Sequence, residues 1–264
     1  MLLLTSFLVS NPFEDFDFKK CLKEPAEVCV KNLVTHSKEG AEDFLRRQCF
    51  ETQINQACLT LGKMYSLQNK DALAEGPLAF ACGHNLGEAC VEAGYAMERQ
   101  GKEKASDDYY LFGCLARSHA ASCSAYAQNA RERRDWDESF KFFQKSCDAG
   151  SSAGCMSAAE ASIFAKKNMV SLQANLYKKA CDLDDVGGCL KLAYFFEETN
   201  DKPMAMEFFK KSCLREIEEA CQKFKELNGG GLVTKALKED AKKAEGFLQR
   251  AFEWLFPLDE RLSK

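Results

Sequence analysis

Proline is scarce in this chain of 264 residues, at five, and histidine is scarcer, at three. Few prolines leave few obligatory helix breaks. Excess charge of one sign is also missing. The 36 Lys and Arg face 40 Asp and Glu, a net of -4, so the basic footprint of a nucleic-acid binder is absent. No apolar run approaches the roughly 18 residues that a bilayer-crossing helix needs. At 46% apolar residues, the chain is too apolar to stay disordered.

The missing motifs exclude chemistry as well. No Cys-x2-Cys occurs, which removes the zinc knuckle and the dithiol redox pair. Cys-x2-Cys-His, His-x3-His and His-Glu-x2-His are absent. So are Ser-x2-Lys and Lys-Thr-Gly, the marks of a penicillin-binding serine. His84 and His119 lie 35 residues apart, one repeat by the spacing below, and read as solvated loop side chains. Asp107-Asp108 and Asp184-Asp185 read as helix-start carboxylates that complement the dipole. We expect no catalytic residue, no metal and no cofactor.

Cysteine is abundant, at 14. The residues fall into the pairs Cys21/Cys29, Cys49/Cys58, Cys82/Cys90, Cys114/Cys123, Cys147/Cys155, Cys181/Cys189 and Cys213/Cys221, with internal separations of 8, 9, 8, 9, 8, 8 and 8. Successive pairs begin 28, 33, 32, 33, 34 and 32 residues apart. A period near 33 marks a stacked repeat. Seven neighbour-to-neighbour disulfides are the simplest reading, with free buried thiols as the alternative. Bridged cysteines place the chain in an oxidising compartment.

The residues around each pair have helical spacing. After the second Cys, an apolar residue comes at three and Gly or Ala at four, as in Cys58-Leu-Thr-Leu61-Gly62 and Cys90-Val-Glu-Ala93-Gly94. This is helix A, whose small position admits a neighbouring helix. Before the first Cys stands small-x3-large-x2-small, as in Ala74, Leu78, Ala81 and Ser106, Tyr110, Gly113. This is helix B. Polar segments such as Gly101-Lys-Glu and Asn200-Asp-Lys-Pro203 separate A from B, and each Cys pair spans the joint from B to the next A.

Small-x2-Leu-Gly on helix A and Ala-x3-Phe-x2-Ala on helix B follow the tetratricopeptide pattern. With a Cys pair at every joint, the chain resembles the Sel1-like repeat family, in particular its bacterial cysteine-rich branch, the Helicobacter cysteine-rich protein type. The resemblance covers about residues 14–227. The repeats lack the Gly-rich A–B insertion usual in the family, so the turn should be tighter. The resemblance implies an all-α, right-handed α/α superhelical solenoid of antiparallel helix pairs, stapled at each joint. It also implies a groove lined by helix A at the position five after the joint Cys: Lys63, Tyr95, Gln128, Glu160 and Tyr194. The position one after that Cys (Leu59, Val91, Ser124, Met156, Leu190) is either groove or inter-helix core.

Residues 1–12 read as a short or truncated secretion signal on the strength of the apolar Met1–Val9, the alternative being a first element packed on the array. Residues 13–227 hold six to seven repeats. Residues 228–264 begin with the break Asn228-Gly-Gly-Gly231. Beyond it Leu237, Ala241, Ala244, Leu248, Ala251 and Leu255 form an amphipathic pattern that reads as a C-terminal cap. The expected function is a non-catalytic, exported, periplasmic or secreted scaffold. It would be a monomer that binds a protein or peptide, a cell-wall peptide among the candidates. The alternative is a binder of β-lactams or peptidoglycan fragments, or a weak β-lactamase.

Overall fold

The computed structural model describes residues 18–21, 23–36, 40–166 and 170–229. The Met1–Val9 segment and the Leu237–Leu255 pattern lie outside them. The described residues form fourteen helices and no strand: α1 (Phe18–Cys21), α2 (Ala26–His36), α3 (Ala41–Phe50), α4 (Asn55–Leu67), α5 (Asp71–Gly83), α6 (Gly87–Arg99), α7 (Glu103–Arg117), α8 (Ala120–Glu132), α9 (Trp136–Asp148), α10 (Ser152–Phe164), α11 (Val170–Asp182), α12 (Val186–Glu198), α13 (Lys202–Cys213) and α14 (Glu218–Leu227). The chain divides between Lys167 and Asn168 into two units, α1–α10 and α11–α14.

Each unit is an α/α solenoid of antiparallel pairs. In the first, each helix from α3 to α9 packs on the next, and the A helices α2, α4, α6 and α8 also touch in succession. In the second, α11 through α14 pack in the same order. The small position of helix A explains the close approach. The large residue of helix B lies over it: a Cβ on Gly62 would fall 2.3 Å from Leu78 Cγ, and one on Gly94 would fall 2.1 Å from Tyr110 Cε1. Leu78, Tyr110 and Phe209 are fully buried, as are the flanking small residues Ala74, Ser106, Ser139 and Ala205. Burying one such large side chain contributes about 1.5–3 kcal/mol.

The helices stop in a uniform way. Asn69, Gly101, Arg134, Lys166 and Asn200 take positive φ in the A–B turns, at steps of 32, 33, 32 and 34 residues. Gln53, Asn85, Ser118, Gly150, Asp184 and Glu216 do the same in the joints. In most of these turns the next residue donates its N–H five residues back, as in Lys70 to Tyr65 O and Lys102 to Met97 O, both 2.9 Å, while Ile54 and His119 reach six back, to Gln48 O and Gly113 O; each bond satisfies a terminal carbonyl. New helices start on caps where the sequence supplies one: Asp135, Ser151, Asp185 and Asp201 each accept a first-turn N–H.

A disulfide closes every described joint, and each joins sequence neighbours. In the first unit these are Cys21–Cys29, Cys49–Cys58, Cys82–Cys90, Cys114–Cys123 and Cys147–Cys155, with Cα separations of 4.9, 4.6, 4.7, 4.6 and 4.4 Å. In the second they are Cys181–Cys189 and Cys213–Cys221, at 4.5 and 4.6 Å. Free buried thiols, the other reading of the pairs, do not occur among the described residues. Every cysteine except the partly buried Cys221 is buried. Joints are also clasped to one another: Arg117 donates to Gly83 O at 2.8 Å and to the Asn85 side chain, and Arg215 reaches Asp184 at 2.8 Å.

Candidate functional site

Five residues of helix A share one register, five after the joint Cys, and the structure gives them different surroundings. Lys63 is buried on α4 and bonded to Glu88 at 2.8 Å and Glu92 at 3.2 Å on α6. It stitches two A helices together. Tyr194, in the second unit, plays a similar part: its hydroxyl donates to Glu219 on α14, and Lys223 lies 5.8 Å from its ring centre. Burial and that carboxylate push the Tyr194 hydroxyl up to about 12. Glu160 is exposed on α10.

Tyr95 on α6 and Gln128 on α8 instead line a common cavity of about 870 Å³. Its wall continues through Glu98, Ser124, Asn129 and Glu132, and through Arg117 and His119 at the joint before α8. The volume falls within the range of small-ligand sites, about 300–1,000 Å³.

The cavity lies here for a reason visible two residues before each second Cys. The stitching carboxylates Glu88 and Glu219 occupy that position, 25 residues after Lys63 and Tyr194 respectively. The equivalent residues facing Tyr95 and Gln128 are Ala121 and Ala153, and both line the cavity. An alanine offers neither volume nor an acceptor, so space remains between neighbouring A helices. Sequence reasoning followed the position after the Cys and missed the one before it, which carried the signal.

The cysteines named from the sequence as joint disulfides are structural staples, and none of the fourteen lines this cavity. Cys29 on α2, Cys155 on α10 and Cys189 on α12 show the reason: they are 1%, 0% and 3% exposed. Each Sγ is committed to the preceding helix, through Cys21, Cys147 and Cys181 respectively. A bridged, buried sulfur offers a ligand neither a thiolate nor a metal-binding electron pair. These residues hold the helices that carry the site and take no part in it.

Tyr95 is 41% exposed and packs edge-on against Tyr110 at 5.8 Å. Burial, Glu98 and Glu92 raise its hydroxyl pKa, so it remains a neutral donor. Gln128 Nε2 donates to Glu132 at 3.1 Å, while its Oε1 accepts from Arg131 at 2.5 Å. His119 is held towards its neutral form by burial and contacts Ser122 Oγ at 3.1 Å. Its ring lies against Gly87, where a Cβ would fall 2.7 Å away. His84 is tied locally, with Nδ1 2.7 Å from Phe80 O and its ring stacked on Phe80 at 4.1 Å. Of the one-after set, Leu59 and Val91 are buried core, whereas Ser124 lines the cavity and contacts Ser146 Oγ at 2.7 Å.

One catalytic motif escaped sequence reading. Gly150-Ser151-Ser152-Ala153-Gly154 matches Gly-x-Ser-x-Gly. A nucleophile elbow needs a strand leading into a helix, but here the motif joins α9 to α10. The motif's serine, Ser152, is the first residue of α10, and the preceding Ser151 caps that helix, accepting from Gly154 N at 3.0 Å. Among the described residues, no group of three or more His, Cys, Asp and Glu side chains converges to hold a metal. The cavity offers hydrogen bonds, an aromatic face and charge, which are the means of recognition.

This is the helical-repeat fold of the Sel1 and tetratricopeptide-like proteins. The chain is similar to a Sel1 repeat protein from Oxalobacter formigenes, with a TM-score of 0.51 at 12% identity over 74% of this chain and 86% of that one. It is also similar to the C-terminal part of a TPR repeat-containing protein from Cytophaga hutchinsonii, with a TM-score of 0.48 at 12% identity over 89% and 96% of the two chains. No protein-family model matches the sequence, and no curated protein matches it either. A disulfide at every described joint supports the cysteine-rich variety of this fold. Seven disulfides indicate the non-reducing surroundings of an exported protein. Among the described residues, no helix is long and apolar enough to cross a membrane.

Proposed function

We propose that the chain is a non-catalytic scaffold of the periplasm or the secreted fraction, working as a monomer that binds a peptide segment of a partner protein. A cell-wall peptide is a further candidate for the same site. The observation that carries this reading is the cavity of about 870 Å³, where Tyr95 and Gln128 stand without the stitching carboxylate that engages Lys63 and Tyr194. Glu160 and the signal-like residues 1–12 remain secondary parts of the proposal.

Displayed random peptides panned on the oxidised protein test the reading. Enriched peptides should lose about tenfold or more in affinity towards a Tyr95→Ala/Gln128→Ala variant, as when an aromatic anchor is truncated. Equal affinity for the variant and the parent would move the site elsewhere. Nitrocefin turnover that disappears with Tyr95→Ala would replace the scaffold with the β-lactamase alternative.

A further inference from the structure

Glu98 and Glu132 stand where local rules disfavour carboxylates. They occupy the last turns of α6 and α8, where the unsatisfied carbonyls already make the helix end negative. Several carboxylates that link helices are neutralised: Arg99 grips Asp71 with two bonds of 2.6 and 2.9 Å, Arg133 lies 2.9 Å from Asp107, and Lys63 serves Glu88 and Glu92. Glu98 and Glu132 have only uncharged donors among the described contacts. Ser106 Oγ and Asn129 Nδ2 both donate to Glu98 Oε1, at 3.3 and 3.1 Å, and Gln128 donates to Glu132.

The surrounding cations are engaged elsewhere. Arg99 holds Asp71 and Arg133 holds Asp107. Arg131 donates to Gln128 and lies 5.7 Å from the Phe143 ring centre. Arg117 is bound to Gly83 O and Asn85. A second cavity of about 490 Å³, which includes Gly101 and Glu103, shares Glu98, Asn129 and Glu132 with the first. The two carboxylates therefore sit where two open spaces meet, with the Tyr95 ring on the same wall.

We infer that this junction takes the cationic side chain, Lys or Arg, of a bound peptide. The inference rests on the peptide-binding reading above and names the partner's chemistry. The ammonium or guanidinium would supply the counter-charge that the fold withholds, and the aliphatic stem would lie along Tyr95, where cation and ring also attract.

The test uses four pools of short capped peptides, alike in their random neutral flanks and differing at the centre: Lys, Arg, norleucine or Glu. The Lys and Arg pools should bind about tenfold or more tighter than the norleucine pool, and the gap should narrow with added salt. In Glu98→Gln/Glu132→Gln the gap should close. Glu132→Gln alone should also raise the thermal midpoint, because it removes a charge opposed to the helix dipole. If the norleucine or Glu pool binds as well as Lys, or the double variant keeps the preference, the cation assignment fails while peptide binding stands. If Glu132→Gln lowers the midpoint, the carboxylate is structural and the assignment fails as well. If no pool binds, the peptide-binding reading itself is lost.

Discussion

Gly94 and Tyr110 interlock within one repeat, the missing side chain of the first making room for the ring of the second: a Cβ at Gly94 would lie 2.1 Å from Tyr110 Cε1 and 2.6 Å from Cδ1. The ring is fully buried and supports Tyr95 edge-on. Gly94→Ala forces the ring or the helix to shift, and overpacking of this kind costs about 1–3 kcal/mol. Gly83→Ala is the control, because a Cβ there meets nothing within 4 Å. Thermal unfolding should show a clear loss for the first and a change within about 0.5 kcal/mol for the second. Equal midpoints would mean that helices A and B are not in this register.

The left-handed turn residues give a prediction of the opposite sign. Arg134 has φ of 62° and Glu216 has φ of 66°, a conformation that is costly for any residue with a Cβ. Glycine relieves that strain and loses part of the gain to the greater freedom of the unfolded chain. Arg134→Gly and Glu216→Gly should each raise stability by about 0.5–1 kcal/mol, read from denaturant midpoints. Glu216 lies in the second unit and Arg134 in the first, so the two gains should add in the double variant.

These turns also mark where the sequence stops being legible. The Cys pairs disclosed every joint, because two thiols eight or nine residues apart across a short turn have one geometry that brings their backbones together. The small and large positions disclosed the A–B contact, because Gly62 facing Leu78 is a requirement of volume. The turn at Arg134 carries no such requirement. Chain closure imposes its backbone, and the side chain merely tolerates it. The candidate site was half legible for a similar reason. Tyr95 and Gln128 lie in the register that the repeat assigns to a groove, but only the column of Glu88, Ala121, Ala153 and Glu219 separates an open position from a stitched one. Lys63, nominated in that same register, is spent on Glu88 and Glu92.

Asp71 and Arg99 give a pH test. The guanidinium's hydrogen bonds hold the Asp71 carboxyl below its usual value, although some burial works the other way. A carboxyl depressed in the folded state stabilises the fold at pH values above its unfolded value of about 3.9. That contribution is lost as pH falls through the lower, folded value. Asp71→Asn should therefore cost about 1 kcal/mol near neutral pH, the scale of a well-aligned pair close to the surface. The midpoints of parent and variant should converge as the pH drops below about 3.9. A gap that persisted unchanged into strong acid would assign the loss to packing around the asparagine.

The bridges allow the most direct trial of the architecture. Cys114 and Cys123 are nine residues apart, with Cα atoms at 4.6 Å, and both are buried in the joint that carries Arg117 and His119. Closing so short a loop in the unfolded chain stabilises by about 2–3 kcal/mol, so Cys114→Ser/Cys123→Ser should lower stability by that amount, measured without reductant. Native protein should yield no titratable thiol, and neither should this variant, because the other six bridges are local and independent. Reductant should then lower the parent's midpoint further than any single replacement does. A chain built to work with reduced thiols behaves differently: its midpoint is the same with and without reductant, and unfolding in denaturant alone exposes fourteen reactive groups. That outcome would remove both the staples and the non-reducing location inferred from them.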